Sequence, residues 1–125
     1  MPGQFEVIIE RNFSSAHQLR GYKGKCENLH GHNYKIEIYA RGRELNNIGL
    51  LVDFVELKEA ADDLVTYLDH KNLNVDVPWF SDLIPTAENI AVVAWRQLCP
   101  AIPAGLRLRL RLWETPRNYV EYEGG

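Results

Sequence analysis

Residues 32–41, HNYKIEIYAR, put Tyr34, Ile36, Ile38 and Ala40 on one side and Lys35, Glu37, Tyr39 and Arg41 on the other. A period of two sustained over this length specifies a strand with one face turned to a core. His30 and His32 share the parity of the apolar set, with only Gly31 between them. Upstream, residues 5–13, FEVIIERNF, alternate Phe5, Val7 and Ile9 against Glu6 and Glu10, broken by Ile8. This reads as a strand entering a longer loop that carries His17.

Downstream, GRELNNIG (42–49) is a turn cluster, and residues 53–70 follow as a helix. Asp53 is placed as its N-cap with Glu56 three residues on, and Phe54, Leu57, Ala61, Leu64 and Leu68 recur at helical intervals. A second helix starts in PTAENIAVVAWRQLCP (85–100), capped by Thr86, with Glu88 in its first turn and Pro100 closing it. Its inward stripe is Ile90, Val93, Ala94 and Leu98. The segment from Gly105 then sets Leu106, Leu108, Leu110 and Leu112 against Arg107, Arg109 and Arg111, and continuing the period puts Glu114 on the leucine side.

No repeat, linker or low-complexity tract interrupts the 125 residues, which fit one domain, 1–125. The order strand, strand, helix, helix, strand, strand (ββααββ) is an α+β pattern: a four-stranded antiparallel sheet with two helices on one face. A net charge of −3, from 14 basic and 17 acidic residues, gives no basic footprint for nucleic acid or an anionic membrane surface. No apolar run approaches the ~20 residues of a membrane span, and the start lacks a secretory leader, so a cytoplasmic protein acting on a small molecule is expected. Cys26 and Cys99 form no C-x-x-C pair, and reduced thiols are expected.

The chemistry concentrates in CENLHGHNY (26–34). Two histidines one residue apart on an extended segment project to the same side and can hold one metal ion, with His17 available as a third ligand. Three neutral imidazoles on Zn²⁺ leave a position open for water or substrate, which is the arrangement of catalytic zinc. Cys26 has three readings: a thiolate base or nucleophile favoured by a nearby cation, a fourth metal ligand, or a small buried hydrophobe. The last suits Cys99 better than a cysteine among Lys23, Lys25, Glu27 and Asn28. Asp69-His70 reads either as an acid–imidazole proton relay or as a helix end where His meets the negative dipole terminus. Glu114 needs a partner with fixed N–H donors if its carboxylate is desolvated; an arginine partner or a plain strand end are the alternatives. Thr86 has a sufficient role as a cap, with a ligand contact in addition.

Taken together, His17, CENLHGHNY, LVDFVELK, LDHKNLN, PTAENIA and WETP resemble the 6-pyruvoyl-tetrahydropterin synthase family in six ordered blocks across nearly the whole chain. The resemblance implies the tunnelling fold (T-fold), in which three subunits close a β-barrel and two trimers stack into a homohexamer with active sites between subunits. It implies Zn²⁺ ligands at His17, His30 and His32, a catalytic thiol at Cys26, a proton relay through Asp69 and His70, and a pterin anchor at Glu114. The short C-x-x-x-H-G-H loop is similar to that of bacterial 6-carboxytetrahydropterin synthases of queuosine biosynthesis. The implied reaction converts 7,8-dihydroneopterin triphosphate to 6-carboxy-5,6,7,8-tetrahydropterin, releasing acetaldehyde and triphosphate.

Three other readings compete. One is a 6-pyruvoyl-tetrahydropterin synthase, a triphosphate-eliminating lyase. Another is a non-catalytic metal-dependent pterin-binding module. The third is a cupin, suggested by HGHNYKIE, against which Glu37 points opposite the His30 and His32 parity and two helices occupy the middle of the chain.

Overall fold

The computed structural model describes residues 3–21 and 27–124. Strands β1 (Phe5–His17) and β2 (His30–Gly42) pair antiparallel along their full length, from Phe5 opposite Gly42 to His17 opposite His30. The loop expected after Phe13 is therefore corrected: β1 runs on to His17. Arg11, Ser14 and Ser15 hid the pattern, yet Ile9, Phe13, Ser15 and His17 all stay buried at odd positions. Ladder hydrogen bonds to β2 carry the strand through its polar stretch, and the Ser15 hydroxyl is satisfied by donating to the Leu68 carbonyl.

Helix α1 (Phe54–Leu68) starts as its sequence demands, with the Asp53 carboxylate accepting from Val55 N–H. Leu57, Ala61, Leu64 and Leu68 are buried. Phe54, expected on the inward stripe, is instead 49% exposed. It is the first helical residue, and the Lys58 ammonium lies 6.0 Å from its ring.

The chain leaves α1 through Asp69 and His70, the latter at φ +57, a left-handed conformation uncommon outside glycine. Two hydrogen bonds tie this exit to β1: Ser14 N–H donates to Asp69 Oδ1 (2.8 Å) and His70 N–H donates to the Ser14 carbonyl (2.6 Å). They deliver Lys71–Asn72 as β3, parallel to β1 at Ser15 and Ala16.

A one-turn helix, α2 (Leu73–Asp76), precedes α3 (Ala87–Leu98), whose cap Thr86 accepts from Asn89 N–H at 3.1 Å. Strands β4 (Arg107–Thr115) and β5 (Asn118–Tyr122) complete the sheet in the order β3-β1-β2-β4-β5. The expected four-stranded antiparallel sheet and ββααββ order are thus corrected to a mixed five-stranded sheet in the order ββαβααββ. A two-residue parallel strand has no periodicity from which it could be read.

The α1 and α3 stripes pack on one sheet face, where Tyr34, Ile36, Ile38, Ala40, Leu110 and Leu112 are completely buried. Each such Leu or Ile contributes about 1.5–3 kcal/mol relative to exposure. Across from this core, the other face carries Arg109 and Arg111 packed on Tyr39, the nearer guanidinium 3.9 Å above the ring. No helix among the described residues is long and apolar enough to cross a membrane.

Candidate metal centre

The β1–β2 register sets His17 opposite His30, and the pleat puts His32 on the same face two residues along. One ring nitrogen from each of the three lies within 4.8 Å of the others. Their centroids are 4.5–5.1 Å apart and the rings meet edge to face.

Two backbone carbonyls decide what these nitrogens present. His17 Nδ1–H donates to the Pro85 carbonyl at 2.7 Å, and His30 Nδ1–H donates to the Asn28 carbonyl at 2.7 Å. With Nδ1 protonated in both rings, each Nε2 bears a lone pair, and these two nitrogens face each other at 2.9 Å. Two lone pairs at that distance cannot bond each other; a cation between them relieves the repulsion. His32 Nε2 is buried without a hydrogen-bond partner among the described residues. Two unprotonated nitrogens and an orphaned third converging on one point fit a metal ion.

Burial pushes the His17 pKa below its ordinary value, an effect partly opposed by the Pro85 carbonyl. Burial lowers His32 likewise, partly opposed by Glu114. Both rings are thereby held neutral, the ligating form. Tyr34 backs the cluster: fully buried and stacked on Phe13 at 4.9 Å, it places its hydroxyl 3.3 Å from His17 Nδ1. Desolvation, then the Glu114 charge, raises its phenol pKa.

Glu114 reaches the cluster on the parity of Leu108, Leu110 and Leu112, as the period of β4 requires, and the β4–β5 register shifts beside it between Trp113 and Thr115. One carboxylate oxygen lies 3.9 Å from His17 Nε2 and the other 3.9 Å from His32 Nε2. It makes no hydrogen bond with the described residues, so the anticipated N–H partner is not supplied by them.

Asp69 and His70 do form a couple, His70 Nδ1 to Asp69 Oδ2 at 2.9 Å, because the left-handed turn takes His70 off the helix. The Ser14 amide foremost, and then His70, hold the Asp69 carboxyl below its ordinary range. No hydrogen bond or ion pair among the described residues joins this couple to the three histidines. Thr86 follows Pro85 directly, so the α3 cap and the carbonyl that orients His17 are consecutive residues. Cys26, with Lys23 and Lys25, lies outside the described residues.

Pro85, Asn28 and Tyr34 are the contributors that sequence reasoning passed over. Two act through carbonyls, which no residue type announces; Tyr34 alone was marked, by sharing the histidines' parity. Glu37 accepts a hydrogen bond from Trp113 Nε1 on the opposite face, and α1 and α3 occupy the middle of the chain, so the cupin reading falls.

Residues 6–125 match the family described as 6-pyruvoyl tetrahydropterin synthase. A 6-pyruvoyl tetrahydrobiopterin synthase of Poecilia reticulata is 38% identical over 91% of this chain and 86% of its own length. A protein of Archaeoglobus fulgidus provisionally named 6-carboxy-5,6,7,8-tetrahydropterin synthase is 35% identical over 97% of each. The structure of Caenorhabditis elegans 6-pyruvoyl tetrahydropterin synthase superposes with a TM-score of 0.90 at 30% identity, covering 99% of this chain and 98% of that one. Full-length sequence likeness and the same sheet-and-helix frame agree, and the chain belongs to the 6-pyruvoyl tetrahydropterin synthase family.

Proposed function

We propose that the protein is a zinc-dependent lyase acting on a pterin, converting 7,8-dihydroneopterin triphosphate to 6-carboxy-5,6,7,8-tetrahydropterin with release of acetaldehyde and triphosphate, in cytoplasmic queuosine biosynthesis. The observation that carries the metal-dependent part is the convergence of three imidazole nitrogens, those of His17 and His30 unprotonated and the buried Nε2 of His32 without a partner among the described residues. His17, His30 and His32 hold the ion; bound there, Zn²⁺ supplies Lewis acidity toward oxygen atoms of the substrate side chain.

The remaining roles belong to side chains of this chain. Glu114, an uncommitted carboxylate 3.9 Å from two of the ligands, accepts paired hydrogen bonds from the 2-amino and ring N–H edge of the pterin and fixes its orientation. Cys26 as thiolate takes the C–H proton beside the side-chain oxygen. His70, polarised by Asp69, returns or relays protons, and Thr86 contacts the ligand at the start of α3.

His70 and His32 line one open cavity of about 480 Å³ together with Ser14, Asn33 and Lys71, which supports a shared role for the couple and the histidine cluster. The sheet supports an assembly: among the described residues, most of β1 beyond its two-residue pairing with β3, and the outer side of β5, are free edges. Closing them in a barrel of three subunits, stacked as a homohexamer, satisfies those edges. Light scattering should then give about six times the 14.4 kDa of one chain.

The second reading is a 6-pyruvoyl-tetrahydropterin product, favoured by 38% identity to the Poecilia reticulata protein against 35% to the Archaeoglobus fulgidus one. The short loop between Cys26 and His30 favours the carboxy product. Incubation with dihydroneopterin triphosphate, with products identified by mass spectrometry and metal by elemental analysis, separates them. A carboxypterin with acetaldehyde supports the first reading, and a pyruvoylpterin supports the second. No turnover by zinc-loaded protein that binds pterin would establish the non-catalytic module instead.

A further inference from the structure

At the opposite end of the sheet from the histidines, Arg41 on β2 and Arg107 on β4 are direct register partners. Like charges opposed across antiparallel strands repel. The arginines farther along β4 have their charge answered. Arg109 donates to both carboxylate oxygens of Glu6 at 3.1 and 3.0 Å and to Glu121 at 2.7 Å; Arg111 donates to Glu121 at 2.6 Å. Glu6 is the acid opposite Arg41 in the β1–β2 register, yet its carboxylate is turned to Arg109.

Arg41 and Arg107 are thus left exposed, without an ion pair among the described residues, as is Arg43 just past the strand end. In a chain of net charge −3 this is not a shortage of acids. Arg41, Arg43 and Arg107 line one cavity of about 660 Å³ together with the ion-paired Arg109 and Glu6 and with Glu44 and Glu123, neither of which is in an ion pair among the described residues. Leu106 helps line it, packed so closely against Gly42 that a Cβ there would come within 2.3 Å of it.

We propose that this cavity binds a small oligophosphate anion. Guanidinium forks match phosphate oxygens two at a time, and one polyanion bridging Arg41 and Arg107 turns their repulsion into a clamp. The volume falls in the range of small-molecule sites. Arg41 lies nine steps along β2 from His32, roughly 30 Å of strand, so this site is separate from the metal centre and does not depend on the reaction proposed above.

Isothermal titration of the full-length protein with inorganic tripolyphosphate tests the proposal, comparing wild type, the R41Q/R107Q double variant and K58Q, which removes an exposed cation outside the cavity. The expected result is saturable binding that weakens with added salt, falls at least tenfold in R41Q/R107Q, and is unchanged in K58Q. Absence of saturable binding to wild type, equal binding by the double variant, or an equal loss in K58Q would overturn it. Thermal unfolding gives a second readout. Without anion, R41Q/R107Q should melt no lower than wild type, because a repulsion has been removed, and tripolyphosphate should raise only the wild-type Tm. A lower Tm for the anion-free variant would show that the arginines serve the fold instead.

Discussion

The two faces of the β2–β4 ribbon are alternate residues of the same strands, yet different forces hold them. On the covered face Ile36, Ile38, Leu110 and Leu112 are fully dry, and the same parity ends in His30, His32 and Glu114. On the open face Glu37, Tyr39, Arg109, Arg111 and Trp113 form hydrogen-bonded and guanidinium–aromatic contacts near solvent. The covered face therefore supplies both the stability and a rigid mount for the site: ligands at the end of a dry, close-packed row have little freedom to move. The open face contributes charge and contact chemistry with little stabilising weight.

That contrast can be broken most severely at the end of the covered face. His30→Ala or His32→Ala should lower metal content well below that of the wild-type protein and activity with it; full occupancy by elemental analysis in either variant would refute ligation. Cys26→Ala and His70→Ala should each keep the metal while turnover falls by about 10²- to 10⁴-fold. Wild-type kcat in Cys26→Ala would reject its role as base.

Midway along the same face the effect becomes purely structural. Ile38→Ala or Leu110→Ala should cost about 2–5 kcal/mol in denaturant unfolding, since each empties a fully buried position. On the open face Arg111→Ala, which removes an ion pair to Glu121 whose side chains are 31% and 35% exposed, should cost at most about 1 kcal/mol. An equal loss from Arg111→Ala and Leu110→Ala would erase the distinction between the faces.

The smallest effect expected is a pH dependence. The bidentate Arg109 hydrogen bonds hold the Glu6 pKa below its ordinary 4.5. A carboxylate depressed on folding contributes stability that is fully present above its unfolded pKa and is lost as pH falls through the folded one. Thermal scans from about pH 6 down to pH 3 should therefore show a slightly steeper loss for wild type than for Glu6→Gln, worth less than about 1 kcal/mol. A steeper loss in Glu6→Gln would reverse the assigned sign.

Much of this architecture is short-range information. Alternation in residues 32–41 and 106–112 determined which side of β2 and β4 is buried; Asp53 and Thr86 determined where α1 and α3 begin; and the H-G-H tripeptide determined that two imidazoles share a face. These follow from the pleat, the helical period and local capping bonds. Tertiary structure decided the rest, because it joins residues far apart in the chain. The β1–β2 register set His17 against His30, and the Pro85 and Asn28 carbonyls chose which nitrogen His17 and His30 offer. Ser14 held Asp69 and His70 in a left-handed exit that also created β3. A carbonyl's aim, a register and a positive φ belong to no residue type, so they become visible only when distant backbone segments meet.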